Sequence, residues 1–205
     1  MSGQMTNDAG NQQSGKSRLW LVLAGGVLIG GLGFAGFHFA LMDGYTNSLE
    51  MCTSCHEMDG VYREYQKSTH YKNPSGVRVV CSNCHVPHGK GVGDYVDKLM
   101  DKIFVGGRHA YHHLVGTYPD AASFEKARYR LAQNVLENMR QRDSKECRQC
   151  HTFDAMQLAN QDRAAASKHE RVMKEGNKTC VDCHSGIVHE EPQEPDVPAA
   201  AGGAK

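Results

Sequence analysis

"MCTSCHEM", residues 51–58, sets two cysteines two residues apart and follows the second at once with a histidine. The same C-x-x-C-H order recurs in "CSNCH" from Cys81, "CRQCH" from Cys147 and "CVDCH" from Cys180, so all eight cysteines fall into four pairs. Disulfides suit an oxidising compartment, yet they would not require a histidine after each pair. Zinc knuckles also use C-x-x-C, but they give no reason for a histidine at the same neighbouring position every time. Covalent c-type haem needs both features, because two thiols add to the porphyrin and the adjacent histidine then lies under the iron. The expectation is four covalently bound haems on Cys52, Cys55, Cys81, Cys84, Cys147, Cys150, Cys180 and Cys183, with His56, His85, His151 and His184 as the motif ligands.

Twelve histidines less the four in the motifs leave eight to serve as second axial ligands. An internal repeat narrows them. His70 stands eleven residues before Cys81, His169 stands eleven before Cys180, and the second motif of each half is followed by another histidine, His88 or His189. The chain therefore reads as two diheme units, about residues 50–90 and 145–190, joined by a middle segment. His88 lies three residues past His85 and is short of chain to cross its own haem. Which distal histidine serves which iron is not written in the sequence. Pairing His85, His151 and His184 with His70, His169 and His189 leaves the first iron with His56 and Met58 in reach. A thioether ligand would raise that iron's reduction potential; otherwise Met58 is a flexible filler against the ring.

From Leu19 to Met42 the chain has 24 residues without Asp, Glu, Lys or Arg. As a helix it would be about 36 Å long at 1.5 Å per residue, enough for a hydrocarbon core of about 30 Å. A cleaved signal has a shorter apolar region, so an uncleaved anchor is expected. Lys16 and Arg18 precede the run and Asp43 follows it, which puts the N-terminus in the cytoplasm and the rest outside. Gly26, Gly30, Gly33 and Gly36 make a small-residue stripe on which a second anchor helix, and so a homo-oligomer, could pack. The expected divisions are a cytoplasmic segment 1–18, an anchor 19–42, a tetrahaem domain 43–190 and a disordered Pro- and Ala-rich tail 191–205. The fold class is mainly α with much loop: one transmembrane helix and an outer multihaem domain whose rings replace a side-chain core. With 23 basic and 23 acidic residues, the charge balance gives no sign of a nucleic-acid partner.

Between the halves, "GDYVDKLMDKIF" (93–104) sets Tyr95, Leu99 and Ile103 on one helical face, with Asp94, Asp97, Lys98, Asp101 and Lys102 on the other. It reads as an amphipathic helix, lying at the membrane surface or packed on a haem. Further on, Asp120 is placed to cap a scaffold helix carrying Phe124, Leu131, Val135 and Met139.

The residues "CTSCHEM", "THYKN", "CHVPH", "ECRQCH" and "CVDCHSGIVH", with a single anchor ahead of them, resemble the NapC/NirT family of membrane-anchored tetrahaem cytochromes, including its NrfH type. The resemblance covers nearly the whole chain after residue 16. It implies a quinol dehydrogenase of the bacterial inner membrane that passes electrons to a periplasmic reductase, such as a nitrate or nitrite reductase. It also implies Met58 as protein ligand of the first iron, His70, His169 and His189 as distal ligands, and a lysine and an acid flanking the first haem to bind quinol. Lys102 is the expected lysine, with Lys98 its competitor. The family's acid falls on His109, with Asp97 and Asp101 as fallbacks. Two other readings stay open from the residues: an electron conduit between proteins without enzymatic chemistry, and reversed flow that reduces quinone.

Overall fold

A computed structural model of the chain describes residues 5–194, with side chains from residue 17. The first residues of the expected cytoplasmic segment (1–4) and most of the expected tail (195–205) lie outside the described residues. The chain divides into two compact units at Asn47 and Ser48.

The first unit is one helix. α1 (Met5–Phe39) continues through a wider turn over Ala40–Gly44 and a tight turn over Tyr45–Asn47. Its stretch Ser17–Asn47, 31 residues, is long and apolar enough to cross a membrane; at 1.5 Å per residue it reaches about 46 Å. Leu21, Val22, Ile29 and Phe34 are all exposed. A helix apolar on all sides and uncovered is suited to lipid rather than water. A Cβ added at Gly26, Gly30, Gly33 or Gly36 would meet nothing within 4 Å.

The second unit is built of short helices and turns, with no strand among the described residues. α2 (Leu49–Cys52) is capped by the Ser48 hydroxyl, which accepts from the Met51 amide at 3.2 Å, and carries the first motif's opening cysteine. A tight turn over His56–Met58 leads into α3 (Asp59–Tyr65). α4 (Cys81–His85) is the second motif itself. α5 (Val92–Met100) passes through a wide turn over Asp101–Gly106 directly into α6 (Gly107–Leu114), so the amphipathic segment is longer than its apolar spacing indicates. Gly116, at φ 66°, then turns the chain.

α7 (Ala121–Gln141) is the long helix of this unit, started by Asp120, whose carboxylate accepts from the Ser123 amide at 2.7 Å. α8 (Lys145–Arg148) opens the third motif. α9 (Arg163–Glu175) is capped by Asp162 and stopped by Gly176 in the left-handed region, and the fourth motif follows in a tight turn over Cys180–Asp182. α2 packs on α4, α4 on α8, and α7 on both the first and the fourth motif turns. Arg128 of α7 reaches Glu64 of α3, and Arg140 of α7 reaches Asp182 at 2.9 Å. One helix thereby spans from the first motif's surroundings to the last.

Candidate functional site

The motif cysteines follow one another in space as they do in sequence. Cys52 and Cys81 share a thiol hydrogen bond, as do Cys147 and Cys180; burial and the charges of Glu146 and Cys150 raise Cys84, and Cys147 in turn feels the charge of Cys84. The bond to Cys81 pulls the Cys52 thiol down to about 7 against desolvation, with Lys102's charge assisting, so Lys102 lies near the first motif.

Three motif histidines each face a histidine from elsewhere in the chain. His70 and His151 have ring centres 6.3 Å apart, His85 and His189 are 6.2 Å apart, and His169 and His184 are 6.0 Å apart. Two imidazoles bound trans on one metal, with metal–nitrogen bonds of roughly 2 Å on each side, put ring centres about 6 Å apart. Two of the three pairs cross the halves: His70 of the first half meets the third motif, and His189 of the second half meets the second motif, while His169 and His184 pair within the second half. The two repeat units interlock.

A ligand imidazole must be neutral, and the surroundings favour that form. The atoms packed around the His85 ring push it down, with His189 and His109 adding to it, although the residue is exposed at the surface. Burial also lowers His70, with His151 adding, and lowers His189 against the pull of Glu64. His169 donates Nδ1–H to the Gln161 amide oxygen at 2.6 Å, which orients the ring and leaves Nε2 for His184's side. His88 turns its Nδ1 onto the carbonyl of Val86 in its own loop and joins none of the facing pairs.

Among the described residues only Tyr65 and Val181 are buried hydrophobics. A domain of about 150 residues ordinarily buries roughly 68–70% of its surface, so this unit needs apolar material beyond its side chains. Facing histidine pairs, adjacent thiol pairs and a scant core together fit covalently held haem.

Around the first motif the arrangement is different. Glu57, 9% exposed, accepts from His113 Nδ1–H at 2.9 and 3.0 Å and lies 3.6 Å from His56 Nε2. Desolvation pushes the Glu57 carboxyl up, and the His113 hydrogen bond and the nearby backbone and imidazoles more than reverse this. Sequence reading missed both residues: 56 positions separate them, and no local pattern announces the contact. Met58 is half-buried at the start of α3.

Of the quinol-site candidates, Lys98 stands over the Tyr95 ring at 4.8 Å, Asp97 is exposed, and Asp101 pairs with Arg142 at 3.3 Å. His109 on α6 exerts its charge on His85 of the second motif. Asp94 pairs with Lys145. The acidic side of α5 is thus turned to the third motif's surroundings, while Val92, Val96, Met100, Ile103 and Phe104 remain exposed.

A helical chain with one membrane-length helix and repeated haem-attachment motifs is, as a class, an anchored multihaem cytochrome. The family model of the NapC/NirT cytochrome c family, N-terminal region, matches residues 12–194, and the chain belongs to that family. It is 41% identical over 184 residues to a protein of Allochromatium vinosum described as a tetraheme cytochrome-c type, covering 89% of this chain and 95% of that one. It is 40% identical over 169 residues to the cytochrome c-type protein NapC of Paracoccus pantotrophus, covering 82% and 68%. With the denitrification system component NirT of Stutzerimonas stutzeri it shares 39% identity over 173 residues, covering 84% and 82%. No solved structure matches. Membership implies covalently bound haem c and a role in electron transfer.

Proposed function

We propose that this protein is a quinol dehydrogenase: a tetrahaem cytochrome held in the inner membrane by α1, with its second unit in the periplasm, passing electrons from membrane quinol to a periplasmic reductase. The observation that carries this reading is the unbroken order of the motifs, Cys52 beside Cys81, Cys84 near Cys147 and Cys150, and Cys147 beside Cys180. Bound at the four motifs, haem c supplies one-electron redox chemistry. The eight cysteines would hold it, and His85 with His189, His70 with His151, and His169 with His184 would supply paired imidazoles to three of the irons. Met58 is the ligand that the family resemblance offers at the first motif.

Quinol is confined to the bilayer, so its oxidation needs a polar site at the membrane surface that can take two protons. Lys102 near Cys52 is the side chain we assign to the quinol oxygen, where its charge would stabilise the oxygen as the proton leaves. Of the fallback acids, Asp101 is engaged with Arg142 and Asp97 is exposed, so Asp97 is the one left to take a proton. The outward apolar side chains of α5 and its continuation suit an interfacial helix that brings this site to the lipid. The acceptor would be a nitrate or nitrite reductase, in keeping with the relative described as a denitrification system component.

Purified holoprotein given a menaquinol analogue should be reduced, and a quinone-site inhibitor should block the reduction. Absence of reduction, or reduction that the inhibitor leaves untouched, would favour a simple conduit between proteins. Lys102→Gln, with the haem spectrum intact, should slow reduction by roughly tenfold or more; unchanged turnover discards the lysine assignment.

A further inference from the structure

The first motif's histidine also faces a distant ring, that of His113, but it differs from the other three in having a carboxylate beside it. His85, His151 and His184 face partner rings at 6.0 to 6.3 Å. His56 instead holds Nε2, the outer nitrogen with which an imidazole commonly reaches a metal, 3.6 Å from Glu57 Oε1. Its ring centre is 5.6 Å from that of His113, tilted by 49°, closer than in any of the three facing pairs. His113 donates Nδ1–H to both Glu57 oxygens, which fixes its ring against the carboxylate.

We propose that Glu57 and His113 form a clamp that keeps the His56 imidazole off the first iron and leaves the protein's ligand there to Met58. The proposal rests on the assignment of Met58 above and supplies its physical cause. A carboxylate with so little water contact must be paired. Glu57 has two imidazoles beside it, and turning His56 toward a metal would strip away one of them. Backbone geometry acts in the same sense. His56–Met58 is a tight turn, and at three residues per turn side chains two positions apart project about 120° apart. His56 and Met58 therefore cannot both present themselves in one direction. The sequence C-x-x-C-H-E-M thus carries its own selector: the glutamate between the two candidate ligands holds one of them away.

The test uses the full-length holoprotein in detergent, with covalent haem counted in every variant. Ligation is read from the sulfur-to-iron charge-transfer band, from paramagnetic resonance and from a redox titration. Glu57→Gln and His113→Gln should each abolish the thioether band, convert one haem in four to histidine ligation and lower that haem's midpoint potential. Met58→Ala should abolish the band in the native background and change nothing further in Glu57→Gln. If Met58→Ala leaves the native spectrum untouched, the assignment of Met58 fails. If it removes the band while both clamp variants keep it, the clamp fails and Met58 stands. A five-coordinate haem produced by His113→Gln would make His113 itself a ligand and overturn the clamp. Glu57→Gln keeps the size of the side chain and a hydrogen-bonding oxygen, so it gives the same decision should His113→Gln lose haem.

Discussion

Replacing Arg128 with alanine should cost this protein more than any surface charge change, because it strands a carboxylate that the fold has taken out of water. Arg128 is 9% exposed; its Nη1 donates to Glu64 Oε1 at 2.7 Å, and its Nη2 donates to Glu64 Oε2 and to the Glu190 carbonyl at 3.1 Å. The Glu190 amide donates to the same carboxylate at 3.0 Å, so Glu64 joins α3, α7 and the end of the fourth-motif segment. Breaking a buried pair by removing one partner costs about 3–5 kcal/mol. For a domain of this size each kcal/mol moves the thermal midpoint by roughly 2–4 °C, so the expected fall is about 6–20 °C. The double variant Arg128→Met, Glu64→Gln leaves no stranded charge and should be the more stable of the two. Thermal unfolding of the holoprotein followed by far-ultraviolet circular dichroism measures both. A loss below about 1 kcal/mol for Arg128→Ala, or a double variant worse than the single, would refute the reasoning.

The crossed histidine pairs give a second prediction. His70→Ala should alter the spectrum of one haem in four in the native chain and should have no effect once Cys147→Ala and Cys150→Ala have deleted the third attachment site, because His70 faces His151 and not His85. For the anchor, membranes washed in alkaline carbonate should retain the full chain, while a chain lacking residues 1–47 should be released with its haems, since the second unit begins at Ser48.

The haem-attachment motifs are legible in the sequence because attachment of this kind is local chemistry: two thiols and a histidine within five residues, four times over, in keeping with the family to which the chain belongs. The membrane helix was legible because lipid imposes a length and an absence of charge that no neighbouring element can supply. The Asp120 cap was legible for the same local reason. Pairings made across the fold were not. The repeat picked out His70, His169, His88 and His189, of which His88 joins no facing pair, and nothing within either half indicates that His70 lies against His151, 81 residues later, or that His189 lies against His85. The join between α5 and α6 was also hidden. The apolar spacing reaches only to Phe104, and the helix runs on through Gly106 and Gly107 by way of a wider turn. The Glu57–His113 contact had no signal at all, since a glutamate after a motif histidine is ordinary until a distant ring is found against it.

These failures share a cause that bears on how the molecule works. With Tyr65 and Val181 as the buried hydrophobics among the described residues, side-chain burial alone cannot offset an ordering cost of roughly 1–2 kcal/mol per residue. The long-range order of the second unit must then come from bonds to the iron porphyrins and from the few buried ion pairs that tie α7 to its neighbours. Each crossed histidine pair would be a fold contact and a redox ligand at once. Loosening one would change a potential and a stability together, whereas Arg128 ties α7 to Glu64 and to the Glu190 carbonyl, and of these groups Glu64 also lies 3.9 Å from His189 Nδ1. Separating the two kinds of bond by mutation is therefore the way to learn how far the spacing of the relay depends on α7 and how far on the haems themselves.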